Sequence, residues 1–287
     1  MSDPMEALRR PLVPLAPDPA FAARLRERIR LALAEGGTMT SDTETASART
    51  SADGDAVFLS LQVGDTARAR RFYGAVFGWE FGPLEEDGHS LQVQGQSLPL
   101  GIWDGPPPRG VGRPDVHIVY RVTDIAAAVA TVRSLGGTAD EPQPSPYGVV
   151  ARGTDDQGNG FTLHEMRPDA PRQAAGGVRP GDVVYITISP GDEVRASRFY
   201  GDLFGWEFQP GRVPHGLQIT GPQPMMGMWG GTGRQVITLN YVVADIEAAV
   251  RRVRDAGGTA TDPTREPYGL SAGCTDDQGI TFGLSQL

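Results

Sequence analysis

The chain has 287 residues, enough for about two domains, and carries 26 basic against 35 acidic side chains for a net charge of -9. Every basic residue is Arg, which excludes Schiff-base chemistry, a pyridoxal-phosphate lysine and a P-loop lysine, while the acidic balance argues against a protein that tracks nucleic-acid phosphates. A single cysteine, Cys274, excludes an intramolecular disulfide and any CxxC motif, and only four histidines are present (His89, His117, His164, His215).

No apolar run approaches the ~20 residues that span a bilayer. Met1–Pro14 has no signal-peptide core. The expectation is a soluble, cytoplasmic protein with no nucleic-acid or membrane partner. Residues 1–35 form an N-terminal segment in which Asp18-Pro19 opens a helix with Phe21, Leu25, Ile29 and Leu33 on one stripe. Residues 36–55 are rich in Ser, Thr, Gly and Asp and read as a flexible linker.

A first domain is expected over residues 56–166. Val57–Val63 alternates as a strand, and Thr66–Val76 reads as a helix ending near Gly78. Short strands are expected around Ser90–Val93 and Leu98–Trp103, then a strand at Val116–Val122. A second helix, Asp124–Leu135, is closed by Gly136-Gly137. Strands near Gly148–Arg152 and Gly160–Glu165 complete a pattern that reads as βαβββ twice. Residues 167–182 are a second linker, and residues 183–287 repeat the pattern.

The repeat is explicit. Arg71–Phe81 (RFYGAVFGWEF) and Arg198–Phe208 (RFYGDLFGWEF) differ at two positions only. Gly136–Thr138 returns at Gly257–Thr259, Pro146–Gly148 at Pro267–Gly269, and Thr154–Gly158 (TDDQG) at Thr275–Gly279. Between the opening and closing blocks the second copy is six residues shorter, a loss placed in the region matching Pro83–Arg113.

Paired βαβββ modules with this opening motif and the DDQGNGF ending resemble the vicinal oxygen chelate superfamily of glyoxalases, bleomycin-resistance proteins and extradiol dioxygenases. The resemblance covers Asp55–Arg167 and Gly181–Leu287. It implies an α+β chain of two tandem domains, each a pair of modules curled into a cup-shaped mixed sheet. It leaves open whether modules pair within or between the copies. The superfamily places metal ligands at four inward strand positions. Carried onto the first copy, these fall on Phe58, His117, Thr162 and the stretch Pro99–Ile102. In the second they fall on Tyr185, Thr238, Gly283 and Pro224–Met228. A divalent site needs three or four N, O or S donors, so no metal cofactor is expected.

Strand alternation indicates what lines the cups instead. Leu59, Leu61 and Val63 form the face a helix covers, so Phe58, Ser60 and Gln62 point inward. So do His117, Arg121 and His164 in the first copy and Tyr185, Thr187, Thr238 and Asn240 in the second. Trp103 and Trp229, in equivalent GIW and GMW strands, are added as aromatic walls. Inward polar positions on a sheet favour a ligand over a packed core. The resulting expectation is a metal-independent protein that binds or sequesters a small organic ligand. The alternative is a divalent-metal lyase, isomerase or dioxygenase with one ion on His117. The divergence of His117 from Thr238 and of Arg121 from Val242 predicts that at most one cup is active. A homodimer or an intramolecular pseudo-dimer of the two domains is expected.

Overall fold

The structure, a computed structural model, describes residues 53–83, 89–108, 110–112, 115–167, 178–211, 213–232 and 235–287. The expected N-terminal helix, most of the first linker and the middle of the second lie outside the described residues.

The first copy runs β1 (Ala56–Gln62), α1 (Thr66–Phe77), β2 (Phe81–Pro83), β3 (Ser90–Val93), β4 (Leu100–Trp103), β5 (Asp115–Arg121), α2 (Ile125–Ser134), β6 (Thr138–Ala139), β7 (Gln143–Ser145), β8 (Gly148–Thr154) and β9 (Gly160–Met166). The second runs β10 (Val183–Ser189), α3 (Glu193–Phe204), β11 (Glu207–Pro210), β12 (Gly216–Thr220), β13 (Met225–Trp229), β14 (Val236–Val242), α4 (Ile246–Asp255), β15 (Thr259–Ala260), β16 (Thr264–Glu266), β17 (Gly269–Thr275) and β18 (Thr281–Gln286). Each copy forms its own open sheet, in the order β2-β3-β4-β1-β5-β9-β8-β6 and its equivalent, with β7 and β16 pairing β8 and β17 off that path. The modules therefore pair within a copy, through antiparallel β1 and β5 and antiparallel β10 and β14.

The four α-helices of the described residues start on an Asp N-cap, Asp65, Asp124, Asp192 and Asp245, whose carboxylate accepts from a backbone N–H of the first turn. Helices α1 and α3 stop at Gly78 and Gly205, at φ 71° and 69°, a conformation that glycine adopts without a Cβ penalty. The residues missing from the second copy come chiefly from the connection between β4 and β5. That stretch spans Asp104 to Pro114, whereas β13 and β14 are joined by Gly230 to Gln235.

The helices lie between the convex faces of the two sheets, in one apolar core shared by both copies. The repeated motifs meet there reciprocally. Phe72, Tyr73, Phe77 and Trp79 pack on Tyr241 and Phe282 of the second sheet. Phe199, Tyr200, Phe204 and Trp206 pack on Tyr120 and Phe161 of the first. Tyr73 Oη donates to Asp276 Oδ2 at 3.0 Å and Tyr200 Oη to Asp155 Oδ2 at 3.2 Å. The neighbouring carboxylates pair across the same seam, Asp277 with Arg68 and Asp156 with Arg195. Gly137 and Gly258 explain the GGT repeat: the Thr154 and Thr275 carbonyls of their own copies sit where a Cβ would be, with Phe199 and Phe72 of the opposite copy close beside. The chain is thus an intramolecular pseudo-dimer. Asp55 belongs to this seam as well as ending the expected linker, since its carboxylate accepts from Gln223 N at 2.8 Å.

Candidate functional site

With the convex faces committed to the shared core, the concave faces are left to bind. Cross-strand register fixes their composition. In the first copy Ser60 stands opposite His117 and Phe58 opposite Val119. Val119 is followed across the sheet by Thr162 and Arg121 by His164, then Thr162 by Arg152 and His164 by Val150. On the other side Gln62 pairs with Trp103. The structure therefore gathers all seven sequence-predicted residues of this copy, Phe58, Ser60, Gln62, Trp103, His117, Arg121 and His164, on one concave face. Glu165 points the opposite way and accepts from Ile125 N at 2.8 Å, capping α2.

Several of these polar groups have no partner among the described residues. Gln62 is 0% exposed, yet neither its Oε1 nor its Nε2 is hydrogen-bonded. His117, 5% exposed, shares a 2.9 Å hydrogen bond between Nε2 and Thr162 Oγ1, while its Nδ1 is left unpartnered. His164 Nε2 and Trp103 Nε1 are likewise buried without a partner. Each such group costs on the order of 1–3 kcal/mol. Burial, with the Arg152 cation as a smaller contribution, pushes the His117 imidazole down to about 4, so it is neutral near pH 7. Burial also lowers His164. A neutral imidazole offers one donor and one acceptor, suited to reading an uncharged polar group.

The second concave face differs in being occupied by its own side chains. Tyr185, Thr187, Thr238 and Asn240 face inward as expected. The Tyr185 hydroxyl, however, lies over Gly227 and the Asn240 amide over Gly283, each in the space a Cβ would take. Tyr185 also packs with Val178, Met225 and Leu287. Tyr268 closes the end at 5% exposure, whereas its repeat partner Tyr147 stands outside at 58%. Trp103 and Trp229 both fold their indole edges onto the loops that follow, against Gly105 and Gly231. Trp229 Nε1 also donates to the Pro214 carbonyl at 3.3 Å. The first copy carries Val119 and Thr162 at the positions of Asn240 and Gly283, so it lacks that filling amide.

Arg152 was not singled out from sequence. It faces the cup because Ala151, its neighbour on β8, belongs to the convex core, and the alternation of Val150, Arg152 and Thr154 carried that signal. Thr162 was weighed only as a metal position; the structure makes it the partner of His117. Cys274 is buried in the convex core, and burial pushes its thiol up to about 12, so it is no nucleophile.

A glyoxalase-like domain model matches residues 56–164 and again residues 185–285. The chain belongs to the glyoxalase-like family. A search of curated protein sequences finds no match. Among solved structures, the Mn(II)-bound glyoxalase from Novosphingobium aromaticivorans is 15% identical, with 82% of this chain and 82% of that one covered and a TM-score of 0.59. Homoprotocatechuate 2,3-dioxygenase from Arthrobacter globiformis is 17% identical over 85% of this chain and 84% of its own, at 0.59. A mutant of 4-hydroxymandelate synthase from Streptomyces coelicolor is 15% identical over 82% and 93%, at 0.55. These likenesses show the vicinal oxygen chelate fold.

The fold family implies a divalent metal, and the residues at its four positions do not fit one. In this glyoxalase-like chain Phe58 and Thr162 flank a single imidazole, His117. Among the described residues no group of three or more His, Cys, Asp or Glu is placed to hold a metal ion. No described helix is long and apolar enough to cross a membrane.

Proposed function

We propose that the first cup binds a small organic molecule without a metal ion, and that the second copy serves as its structural partner. The observation that carries this reading is the set of buried polar atoms on the first concave face, Gln62, His117 Nδ1 and His164 Nε2, that no described protein group satisfies. Natural cores rarely tolerate such groups without a function. The matching positions of the second copy, Ser189, Thr238 and Ser285, carry only hydroxyls. Phe58 and Val119 supply apolar contact at the centre of the cup, and Ser60 and Thr162 supply hydroxyls.

Screening the full chain against a small-molecule library by ligand-observed NMR, in the presence of chelator, tests this. Binding is expected to persist with chelator and to disappear in Val119→Phe, which fills the first cup. Gln62→Leu is expected to weaken binding while stabilising the unliganded chain by about 1–3 kcal/mol, because it removes unsatisfied amide atoms. Binding that requires added metal, or that survives Val119→Phe, would overturn the reading.

A further inference from the structure

We propose that the ligand of the first cup is a small organic acid, its carboxylate held by Arg121 and Arg152. The inference rests on the reading of that cup as a ligand site and adds the charge of what it takes.

The two arginines stand on the concave face, half-buried Arg121 and exposed Arg152, without a side-chain partner among the described residues. Arg121 ends β5 beside His164, and Arg152 lies on β8 beside Thr162. His164 is itself opposite Val150, two residues from Arg152 on the same strand. With strands ~4.8 Å apart and ~3.3 Å of rise per residue, the two backbones stand about 10 Å apart across the sheet and about 7 Å along it. Two arginine side chains can close that separation around one anion. No ion pair or hydrogen bond to a described carboxylate engages either guanidinium. Arg68, Arg133, Arg195 and Arg254, in contrast, each pair with an aspartate or glutamate.

The placement is also specific to the first cup. The matching positions of the second copy are Val242 and Gly273, so both cations are absent where Tyr185 and Asn240 fill the interior. In a chain with a net charge of -9, two unpaired cations on a concave face form a local attraction for a negative ligand. A guanidinium offers a planar fork that matches a carboxylate. His117, Gln62 and Phe58 then face the uncharged remainder of the molecule. Because the imidazole is neutral near pH 7, the arginines are the groups that set the preference for charge.

The test is calorimetric titration of the full chain with a panel of small carboxylic acids, benzoate among them, each paired with its primary amide. Acids are expected to bind at least tenfold more tightly than their amides. Arg121→Gln and Arg152→Gln are each expected to remove most of that difference, weakening acid binding far more than amide binding. Neither variant breaks a hydrogen bond or ion pair among the described residues, and circular dichroism checks that both keep the fold. Equal affinity for acid and amide, or acid binding unaffected by both variants, overturns the anionic assignment and leaves the ligand site standing. If neither acids nor amides bind and the wider library also finds no ligand, the site itself is refuted.

Discussion

Trp79→Ala is expected to destabilise the chain by about 3–5 kcal/mol and to unfold both copies in one transition. Trp79 is buried where the first copy's opening motif meets the second sheet, stacked on Tyr73 at 5.1 Å and on Phe77 at 4.9 Å and set edge-on to Tyr241 at 5.5 Å. Removing the indole leaves a cavity whose walls belong to both copies, so neither can relax alone. Domain stabilities are typically 5–15 kcal/mol, which makes this loss a large fraction of the total. Trp206→Ala, at the equivalent place on the other side of the pseudo-dimer, is expected to behave alike. Urea unfolding followed by tryptophan fluorescence and by far-ultraviolet circular dichroism measures it. Coincident midpoints with a lowered stability fit the shared core. Two separated transitions, with only one moved by the substitution, would show that the copies fold independently.

Acidification is expected to remove up to about 3 kcal/mol of stability through His117. Its folded-state value of about 4 lies below the ordinary 6.5, and each unit of difference is worth ~1.4 kcal/mol. The sign follows from which state binds the proton first. Between pH 6.5 and 4 the unfolded chain is protonated at this residue while the folded chain is not. The contribution is complete above pH 6.5, shrinks as pH falls, and is gone below about 4. His164 shifts in the same direction, so its loss adds to the trend. Asp115 and Asp276, both raised by burial, act in the opposite sense at lower pH. Comparison of the wild type with His117→Gln isolates the one imidazole. The stability difference between the two proteins should change by roughly 3 kcal/mol from pH 7 to pH 4. A difference independent of pH would mean that His117 is accessible to solvent protons in the folded state.

Much of the architecture was legible in the chain because it is written in local signals. The motif repeat, Gly78 and the Gly136-Gly137 stop each mark an element where it ends or returns. The strands at Ser90–Val93 and Gly160–Met166 alternate plainly enough to be read. The edge strands β2, β6 and β7 were missed, since two or three residues carry no periodicity. Why RFYG and TDDQG recur was also hidden. They meet across copies, and a contact between Tyr73 and Asp276 has no trace in local pattern. At the site, alternation groups Phe58, Ser60, Gln62 and His117 on one face, and the strand register sets Ser60 opposite His117. What it could not show was occupancy. The burial of Tyr268 against the exposure of Tyr147 distinguishes two identical PYG turns, and that difference arises from packing with distant residues.

Metal uptake tests the central claim most directly. The full-length protein and His117→Ala, purified without a tag and incubated in turn with Mn, Fe, Zn and Ni salts, would be desalted and analysed for metal content. A cup built on one imidazole, an aromatic ring and a hydroxyl should retain far less than one ion per chain, with no difference between the two proteins. Near-stoichiometric metal that falls in His117→Ala would contradict the account and make the first cup a metal centre.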